Sequence, residues 1–245
     1  MIVLIPAYEP DTRLIDLLDS IAIARIASAV VIVDDGSGRA YAPIFADCAT
    51  RGAVVLRHPA NRGKGAALKL GFTYIADHYR DHDVVCADCD GQHLPADIGR
   101  VAVAVHERPH TMVLGTRRFV GAVPRKSRFG NGLTRRVYRL ATGHELYDTQ
   151  TGLRGYSADL LEWLAVVRGE RFEFELEVLL ASHRDDIALH EVEIGTVYFD
   201  NNRSTHFRSV RDSVRVYLVF VRFAANARGR DPRHLRQARQ AGLPL

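Results

Sequence analysis

The sequence predicts an α/β protein in which a mostly parallel central sheet carries helices on both faces. Three observations predict this fold class. Short β-branched runs alternate with longer amphipathic segments through the first half of the chain. Those runs are apolar throughout, as in strands that are buried on both sides. A chain of 245 residues that is 47% hydrophobic is also long enough to bury one substantial core.

The elements of the first half follow one another with short connections. Apolar runs predict strands at residues 2–6, 30–35, 53–58, 83–88 and 111–116. Amphipathic spacing predicts the helices between them, at residues 11–24, 40–50, 63–79 and 95–107. In a parallel sheet of this kind, ligands bind in the crevice beyond the carboxyl ends of the strands. The polar residues that follow each strand are therefore the candidates for function.

The regular alternation ends after Gly121. The stretch "GAVPRKSRFGNG" is rich in glycine, proline and arginine and predicts a mobile loop. Further patterns predict helices near 131–142, 157–164 and 174–183, a pair of strands around 187–199 and a helix at about 207–225. One domain over residues 1–225 with a small C-terminal elaboration is the simplest interpretation.

Charge and cysteine content bear on partners and location. Residues 226–245 contain five arginines against Asp231, which accounts for the whole formal net charge of +4. Such a tail, which we expect to be flexible, favours acidic partners, although most such tails are simply solvated. There is neither a signal-peptide pattern nor a run of roughly 18 apolar residues that could span a membrane. Because the three cysteines are an odd number, we expect a reduced, cytoplasmic compartment, with Cys86 and Cys89 as buried side chains.

Two carboxylates follow the predicted strand in "VVCADCDGQH", at Asp88 and Asp90. Carboxylates this close raise each other's pKa unless a cation lies between them. Oxygen ligands from Asp88, Asp90 and Gln92 suit Mg²⁺ or Mn²⁺, and the same ion would bind a diphosphate. The alternative is a polar turn that caps the helix starting near Pro95, and this decapeptide alone leaves both interpretations open.

A second acidic strand end lies in "VVIVDDGSG". Asp34 or Asp35 could accept hydrogen bonds from a base imide or from ribose hydroxyls, and Gly36 would let a ligand approach the backbone. The alternative is an ordinary strand–turn–helix junction with an Asp-Gly turn and a serine cap.

A possible anion site lies in "HPANRGKGAAL", where Gly63 and Gly65 flank Lys64 at a predicted helix N-terminus. It is not a Walker A loop, because His58 stands where that motif needs glycine and no Ser or Thr follows Lys64. In the alternative interpretation the glycines only allow a sharp turn and Lys64 is solvated.

Four motifs in this order, "IPAYEP", "VDDGSG", "NRGKGAAL" and "ADCDGQHLP", resemble the nucleotide-sugar site of family 2 glycosyltransferases. The sequence is similar in particular to the dolichyl- and polyprenyl-phosphate sugar synthases. "LGTRRF", "DTQTGLRGY", "RFEFELEVLL" and "NNRSTHFRSVRDSVRVY" extend the resemblance to about residue 225. It implies a Rossmann-like GT-A fold with a nucleotide-sugar half at about 1–117 and an acceptor half at about 118–225.

The resemblance also implies a role for individual residues. The nucleotide sugar would be bound by Pro6, Ala7, Tyr8, Glu9, Asp34, Asp35, Gly36, Lys64, Asp88 and Arg117. A divalent cation, Mg²⁺ or Mn²⁺, would be held by Asp88, Asp90 and Gln92. The acceptor and its phosphate would be bound by Arg125, Lys126, Arg128, Gln150, Arg203 and Ser204. Cys89 departs from the small Ala or Ser usual at its position, which does not affect the metal assignment.

The expected chemistry follows from the charges. A sugar nucleotide leaves as a diphosphate, so the cation, Lys64 and Arg117 would stabilise the developing negative charge while the acceptor attacks with inversion. A phosphate-monoester acceptor is already ionised and needs no base, whereas a hydroxyl acceptor does. Our catalytic candidates are Asp90, Arg117 and Glu173, with Glu175 as a second candidate base. The alternative for both glutamates is solvent-facing charge at a helix start.

The predicted helix at 207–225 bears on the acceptor, because its arginines and its apolar residues form two separate stripes. One interpretation is an interfacial helix on anionic lipid, and the other is a helix packed on the domain with its arginines in water. The loop "VPRKSR" and the arginine tail strengthen the first interpretation without deciding between them.

Three hypotheses follow. The first is a metal-dependent inverting enzyme that moves a hexose from a GDP- or UDP-linked sugar to polyprenyl phosphate. It would be cytoplasmic and peripheral on the inner face of the plasma membrane, with a separate membrane protein as a candidate partner and no nucleic acid. The second keeps the fold but uses a hydroxyl acceptor of a glycan or glycolipid. The third is a non-catalytic nucleotide-sugar-binding protein recruited by its basic tail.

Overall fold

The computed structural model describes residues 1–117 and 125–195, and for residues 125–131 and 133 it describes the backbone alone. Within this part of the chain the strands are β1 Ile2–Ala7, β2 Ala29–Asp34, β3 Val54–Arg57, β4 Val84–Cys86, β5 Thr111–Arg117, β6 Arg154–Tyr156 and β7 Ala188–Ile194. They form one sheet in the order β3-β2-β1-β4-β6-β5-β7.

Most of the sheet is parallel, as predicted. β1 lies between β2 and β4 and is parallel to both, and β3 extends this parallel half beyond β2. Every residue of β1 is buried, which explains why its sequence is apolar throughout. β6 is the exception, because it runs antiparallel between β4 and β5. This strand was not predicted, since three residues that include an arginine and a glycine carry no strand pattern.

Helices cover both faces of the sheet, which confirms the predicted layers. They are α1 Arg13–Ala24, α2 Ala42–Thr50, α3 Lys64–His78, α4 Pro95–His106, α5 Arg125–Thr142, α6 Leu161–Val166 and α7 Phe174–Arg184. One apolar core lies between the sheet and α1, α2 and α4. The other lies between the sheet and α3, α5, α6 and α7. Among the described helices, none combines the length and the apolarity needed to cross a membrane.

One prediction for the second half was wrong at its boundary. The predicted loop of "GAVPRKSRFGNG" ends early, because α5 already begins at Arg125. Proline directly before a helical segment favours helix initiation, and the two glycines that follow did not break the helix. The strand around 187–199 is β7, which pairs in parallel with β5. Its predicted partner, the helix at 207–225 and the tail at 226–245 lie wholly or partly outside the described residues.

Candidate active site

The carboxyl ends of four strands meet at one edge of the sheet. β1, β2 and β4 are parallel, and β5 shares their direction because β4 and β5 are both antiparallel to β6. This arrangement brings together the segments that follow β1, β2 and β4, which contain Tyr8, Asp35 and Asp88. It also places Arg117, the last residue of β5, at the same edge. The sequence predicts its candidate site residues beyond the carboxyl ends of parallel strands, and the structure contains such an edge.

Asp34 is buried and bonded on both of its oxygens. Oδ1 accepts a hydrogen bond from the Ser37 backbone N–H at 2.8 Å, and Oδ2 accepts one from Arg57 Nε at 2.8 Å. This is the strand–turn junction that was the structural alternative for "VDDGSG". In this conformation the side chain of Asp34 stabilises the turn.

Asp35 organises the loop that leads into α3. Its Oδ2 accepts the Gly63 backbone N–H at 2.7 Å, and its Oδ1 accepts the Arg62 backbone N–H at 3.0 Å. Oδ1 also lies 2.8 Å from Nδ1 of His58. The carboxylate is buried, and its hydrogen bonds fix the backbone just before Lys64.

The residues after β1 pack against the turn after β2. The Glu9 backbone N–H donates to Ser37 Oγ at 2.9 Å. A hydrogen bond to the Glu9 side chain is the main cause that raises the pKa of Tyr8, with a smaller effect of burial. Gly36 has a φ of +75°, and a Cβ there would overlap with the backbone of Ala60. Glycine is thus needed for the close approach of two loops, while Pro6 and Ala7 are buried within β1.

The N-terminus of α3 is covered by protein in this conformation. The Ala66 backbone N–H donates to the Glu170 carbonyl at 2.8 Å. A Cβ at Gly63 would overlap with Arg171, and one at Gly65 would lie 2.5 Å from Cβ of Phe174. The two glycines flanking Lys64 therefore allow the segment before α7 to pack on this helix end.

Lys64 lies between two carboxylates from different parts of the chain. Its Nζ is 2.7 Å from Oδ1 of Asp88 and 3.0 Å from Oε1 of Glu175. Burial by itself lowers the pKa of Lys64, but the charges of Asp88 and Glu175 outweigh it and raise the pKa above its usual range. The alternative of a solvated lysine is therefore wrong.

The two carboxylates of "DCD" have different environments. Burial alone raises the pKa of Asp88, but Lys64, with a smaller effect of His93, lowers it far below its usual range. Burial and then the charge of Asp88 raise the pKa of Asp90. Oδ1 of Asp90 accepts the Gln92 backbone N–H at 3.1 Å. The charged form of Asp88 is therefore strongly stabilised by Lys64. The neighbouring Asp90 lacks a cation of comparable effect.

These residues fit a divalent cation by their chemistry. Two carboxylates and the amide oxygen of Gln92 are the hard oxygen ligands that Mg²⁺ and Mn²⁺ prefer, and a cation would offset the repulsion felt by Asp90. Nε2 of His93 is buried nearby, 3.5 Å from Oδ2 of Asp88, and has no hydrogen-bond partner among the described residues. Within residues 1–117 and 125–195, however, no three His, Cys, Asp or Glu side chains converge on one point.

Burial, and then the charges of Asp88 and Asp90, raise the pKa of Cys89 to about 12, so its thiol is protonated at neutral pH.

Arg117 is held in place by Asp148. Its Nε donates to Oδ2 at 2.6 Å and its Nη2 to Oδ1 at 3.3 Å, a two-point contact that fixes the guanidinium plane. Asp148 is fully buried and also accepts the Gln150 backbone N–H at 3.0 Å. The side chain of Gln150 is exposed. Asp148 was not among the predicted site residues.

The two glutamates of "RFEFE" have different positions. Oε1 of Glu173 accepts the backbone N–H groups of Glu170 and Arg171 at 3.2 and 3.3 Å, so this carboxylate bonds to its own turn. Glu175 instead contacts Lys64 and lies 3.9 Å from Nε of Arg154. The structure thus brings Glu175, and not Glu173, next to Asp88. Neither glutamate is the solvated charge of the alternative interpretation.

Arg154 is a further residue that sequence reasoning missed. It lies on β6, is fully buried, and donates to the carbonyls of Thr149, Thr151 and Glu175 at 3.3, 2.9 and 2.7 Å. A lone arginine inside "TGLRGY" was its only sequence signal. The side chains of Arg125, Lys126 and Arg128, and all of Arg203 and Ser204, lie outside what the structure describes, so their acceptor role stays a prediction.

Comparison with known proteins identifies relatives of the whole domain. The chain is 26% identical over 215 residues to a UDP-N-acetylglucosamine–dolichyl-phosphate N-acetylglucosaminyltransferase of Methanococcus voltae, covering 80% of this chain and 84% of the relative. It is 24% identical over 247 residues to a dolichyl-phosphate β-glucosyltransferase of Dictyostelium discoideum, covering 89% and 74%.

Solved structures and the family pattern agree with these relatives. Glucosyl-3-phosphoglycerate synthase from Mycobacterium tuberculosis, solved with Mn²⁺, UDP and glucosyl-3-phosphoglycerate, superposes with a TM-score of 0.69 at 18% identity, covering 91% of this chain and 78% of that one. This likeness confirms the GT-A fold. The pattern of the family "Glycosyl transferase family 2" matches residues 2–164, well over half of the chain. The chain therefore belongs to glycosyl transferase family 2.

Proposed function

We propose that this glycosyltransferase moves a hexose from a GDP- or UDP-linked sugar to a polyprenyl phosphate, with inversion and with the help of a divalent cation. The observation that carries the proposal is the similarity to two dolichyl-phosphate glycosyltransferases along at least 80% of the chain. A dolichyl or polyprenyl phosphate is anchored in a membrane, so the proposed site of action is the cytoplasmic membrane surface. The third hypothesis, a non-catalytic protein, is not carried further because the family is one of enzymes.

The site geometry supports a donor with a diphosphate. Asp88, Asp90 and Gln92 would hold the cation, which when bound stabilises the negative charge of the leaving diphosphate. Lys64, now paired with Asp88 and Glu175, and Arg117, oriented by Asp148, are the two cations that we expect to face the leaving group. Both can add charge stabilisation to the leaving group, while Asp35 positions the loop in front of Lys64.

The test uses the purified full chain with detergent-solubilised polyprenyl phosphate, UDP- and GDP-sugars, and either Mn²⁺, Mg²⁺ or a chelator. We expect a glycosylated lipid phosphate that requires the metal and disappears with Asp90→Ala. Transfer to a water-soluble hydroxyl acceptor, with none to the lipid phosphate, would contradict the proposal.

The second candidate, transfer to a hydroxyl group, is favoured by one observation. Glu175 is largely buried beside Lys64 and could act as a general base, whereas a phosphate acceptor needs none. Glu175→Gln and Glu173→Gln form a matched pair of variants. Loss of kcat by about 10²–10⁴ in Glu175→Gln, with little change in Glu173→Gln, would favour the hydroxyl acceptor.

A further inference from the structure

Arg154 is a buried cation at the centre of the described protein. It lies on β6, between β4 and β5, and is only 1% exposed. Burying a charge costs free energy unless opposite charges and hydrogen bonds surround it, and a neutral side chain often fills such a position at a lower cost. The arginine at this position therefore needs an explanation beyond packing.

The guanidinium of Arg154 binds the backbone of two separate segments. Its Nε donates to the Thr151 carbonyl at 2.9 Å and its Nη2 to the Thr149 carbonyl at 3.3 Å, which fixes the loop directly after Asp148. Its Nη1 donates to the carbonyl of Glu175 at 2.7 Å. A guanidinium holds its donors in one rigid plane, whereas the ammonium of a lysine is a single point charge. One planar group thus joins two segments that are distant in the chain.

The two acids next to these contacts hold the two cations of the site. Oε1 of Glu175 lies 3.0 Å from Nζ of Lys64, and Asp148 binds Arg117 at two points. Nε of Arg154 lies 3.9 Å from Oε1 of Glu175. Burial alone lowers the pKa of Arg154, but negative neighbours, with Glu175 first and Asp148 among them, outweigh it and raise the pKa. The charges alternate along the row Lys64, Glu175, Arg154, Asp148 and Arg117, which we call the charge chain.

We propose that Arg154 is a positioning residue that holds the two ends of the charge chain, Lys64 and Arg117, in fixed places relative to each other. This role rests on the proposed function, in which both cations face the diphosphate of the donor. Arg154 acts through the two acids and their backbone, since its own side chain is buried behind them. Recognition of the second phosphate by two cations therefore depends on one arginine in the core.

The preference for a nucleoside diphosphate over its monophosphate measures whether both cations are in place. Isothermal titration calorimetry of the full chain, at one fixed Mn²⁺ concentration, gives the Kd values of UDP, UMP, GDP and GMP. The ratio of two Kd values from one preparation does not change when part of the protein is unfolded. The wild type should bind one of the diphosphates at least about tenfold more tightly than its monophosphate, because the second phosphate adds hydrogen bonds between charged groups.

Three variants separate positioning from stability. Arg154→Lys keeps the charge but cannot hold both segments, so it should lower the preference about tenfold. Tyr156→Phe removes a hydroxyl that hydrogen-bonds to Arg154, is the milder change, and should lower the preference about threefold. Ile75→Ala on α3 removes apolar contacts from the same core as Tyr156 and lowers stability, and it should keep the wild-type preference.

Each outcome decides the role of Arg154. A wild-type preference in Arg154→Lys, or in Tyr156→Phe where Arg154→Lys does not fold, overturns this role and leaves the proposed function intact. An equal loss of preference in Ile75→Ala also overturns it, because lowered stability would then be the cause. If the wild type prefers neither diphosphate over its monophosphate, the proposed donor site fails together with the role of Arg154.

Discussion

The ammonium group of Lys64 lies 2.7 Å from the carboxylate of Asp88 and holds it in the charged form. Glu175 completes the cluster from a position 111 residues away in the chain. The cluster neutralises one of the two carboxylates that follow β4, whereas burial and the charge of Asp88 raise the pKa of Asp90. Opposite environments for two neighbouring acids are typical of functional sites.

We expect Lys64→Met to destabilise the protein at neutral pH. In the wild type the lowered pKa of Asp88 adds stability that is present above about pH 4 and is lost as the pH falls. The raised pKa of Lys64 adds stability that is present below about pH 10 and is lost above it. Without the lysine, we expect a loss of about 2 kcal/mol at pH 7, less than for a fully buried pair because the side chain of Asp88 is 34% exposed.

Urea unfolding at pH 5 and pH 8 measures this effect. The Lys64→Met variant should become less stable from pH 5 to pH 8, since its partly buried Asp88 must then ionise without the lysine. Lys69→Met, at a partly buried position on the same helix, is the control and should show no such slope. Equal pH profiles for Lys64→Met and the wild type would contradict the role of the pair.

Gly152→Ala should displace the carboxylate of Asp88, which lies directly against the backbone of Gly152. The added Cβ would overlap with the Asp88 carboxylate, which must move away from Lys64. We expect a loss of stability of about 1–3 kcal/mol and at least a tenfold loss of kcat/KM in the lipid-phosphate assay. Gly132→Ala, on α5 with open space around its Cβ, is the matched control and should be neutral or stabilising by up to about 1 kcal/mol. Wild-type activity in Gly152→Ala would show that the position of Asp88 does not matter.

Asp148→Asn should release Arg117. The substitution keeps the shape of the side chain but removes the buried charge that binds the guanidinium at two points. We expect the free energy of unfolding to fall by about 3 kcal/mol and kcat to fall with it, because Arg117 loses its orientation. Asp159→Asn removes a more exposed partner of His110 and should change the unfolding free energy by less than about 0.5 kcal/mol. Chemical denaturation of both variants, with a matched rate assay, decides this prediction.

Nucleotide binding should raise the melting temperature, and a working metal site should increase this shift. A ligand present at 100 times its Kd stabilises the native state by about 2.7 kcal/mol, and each kcal/mol raises Tm by about 2–4 °C for a chain of this size. Differential scanning fluorimetry with UDP or GDP, with and without Mn²⁺, should therefore show a shift of several degrees for one of the two nucleotides. Asp90→Ala should lose the part of the shift that depends on Mn²⁺. Absence of any shift with either nucleotide would count against the donor site.

Much of the fold was predictable from local pattern. The strands β1 to β5 and the helices α1 to α4 lie within a few residues of their predicted bounds, because periodicity and strand-end residues are properties of short segments. β6 was not predictable in this way, since its three residues form a strand only by pairing with β4 and β5 on either side. The start of α5 was misplaced because composition alone suggested a loop.

The same distinction between local pattern and tertiary contact applies to the candidate site. The sequence by itself determined the family, the edge of the sheet and the acidic residues at the ends of β2 and β4, since each is encoded within a few consecutive residues. Only the tertiary structure decided that Asp34 and Asp35 bond to turns and that Glu175 rather than Glu173 meets Lys64. It also decided that Asp148 orients Arg117 and that the ring nitrogen Nε2 of His93 is buried 3.5 Å from Asp88. The physical reason is that the charge state and direction of a buried polar group depend on neighbours that are distant in the chain, and only folding brings them within hydrogen-bonding distance.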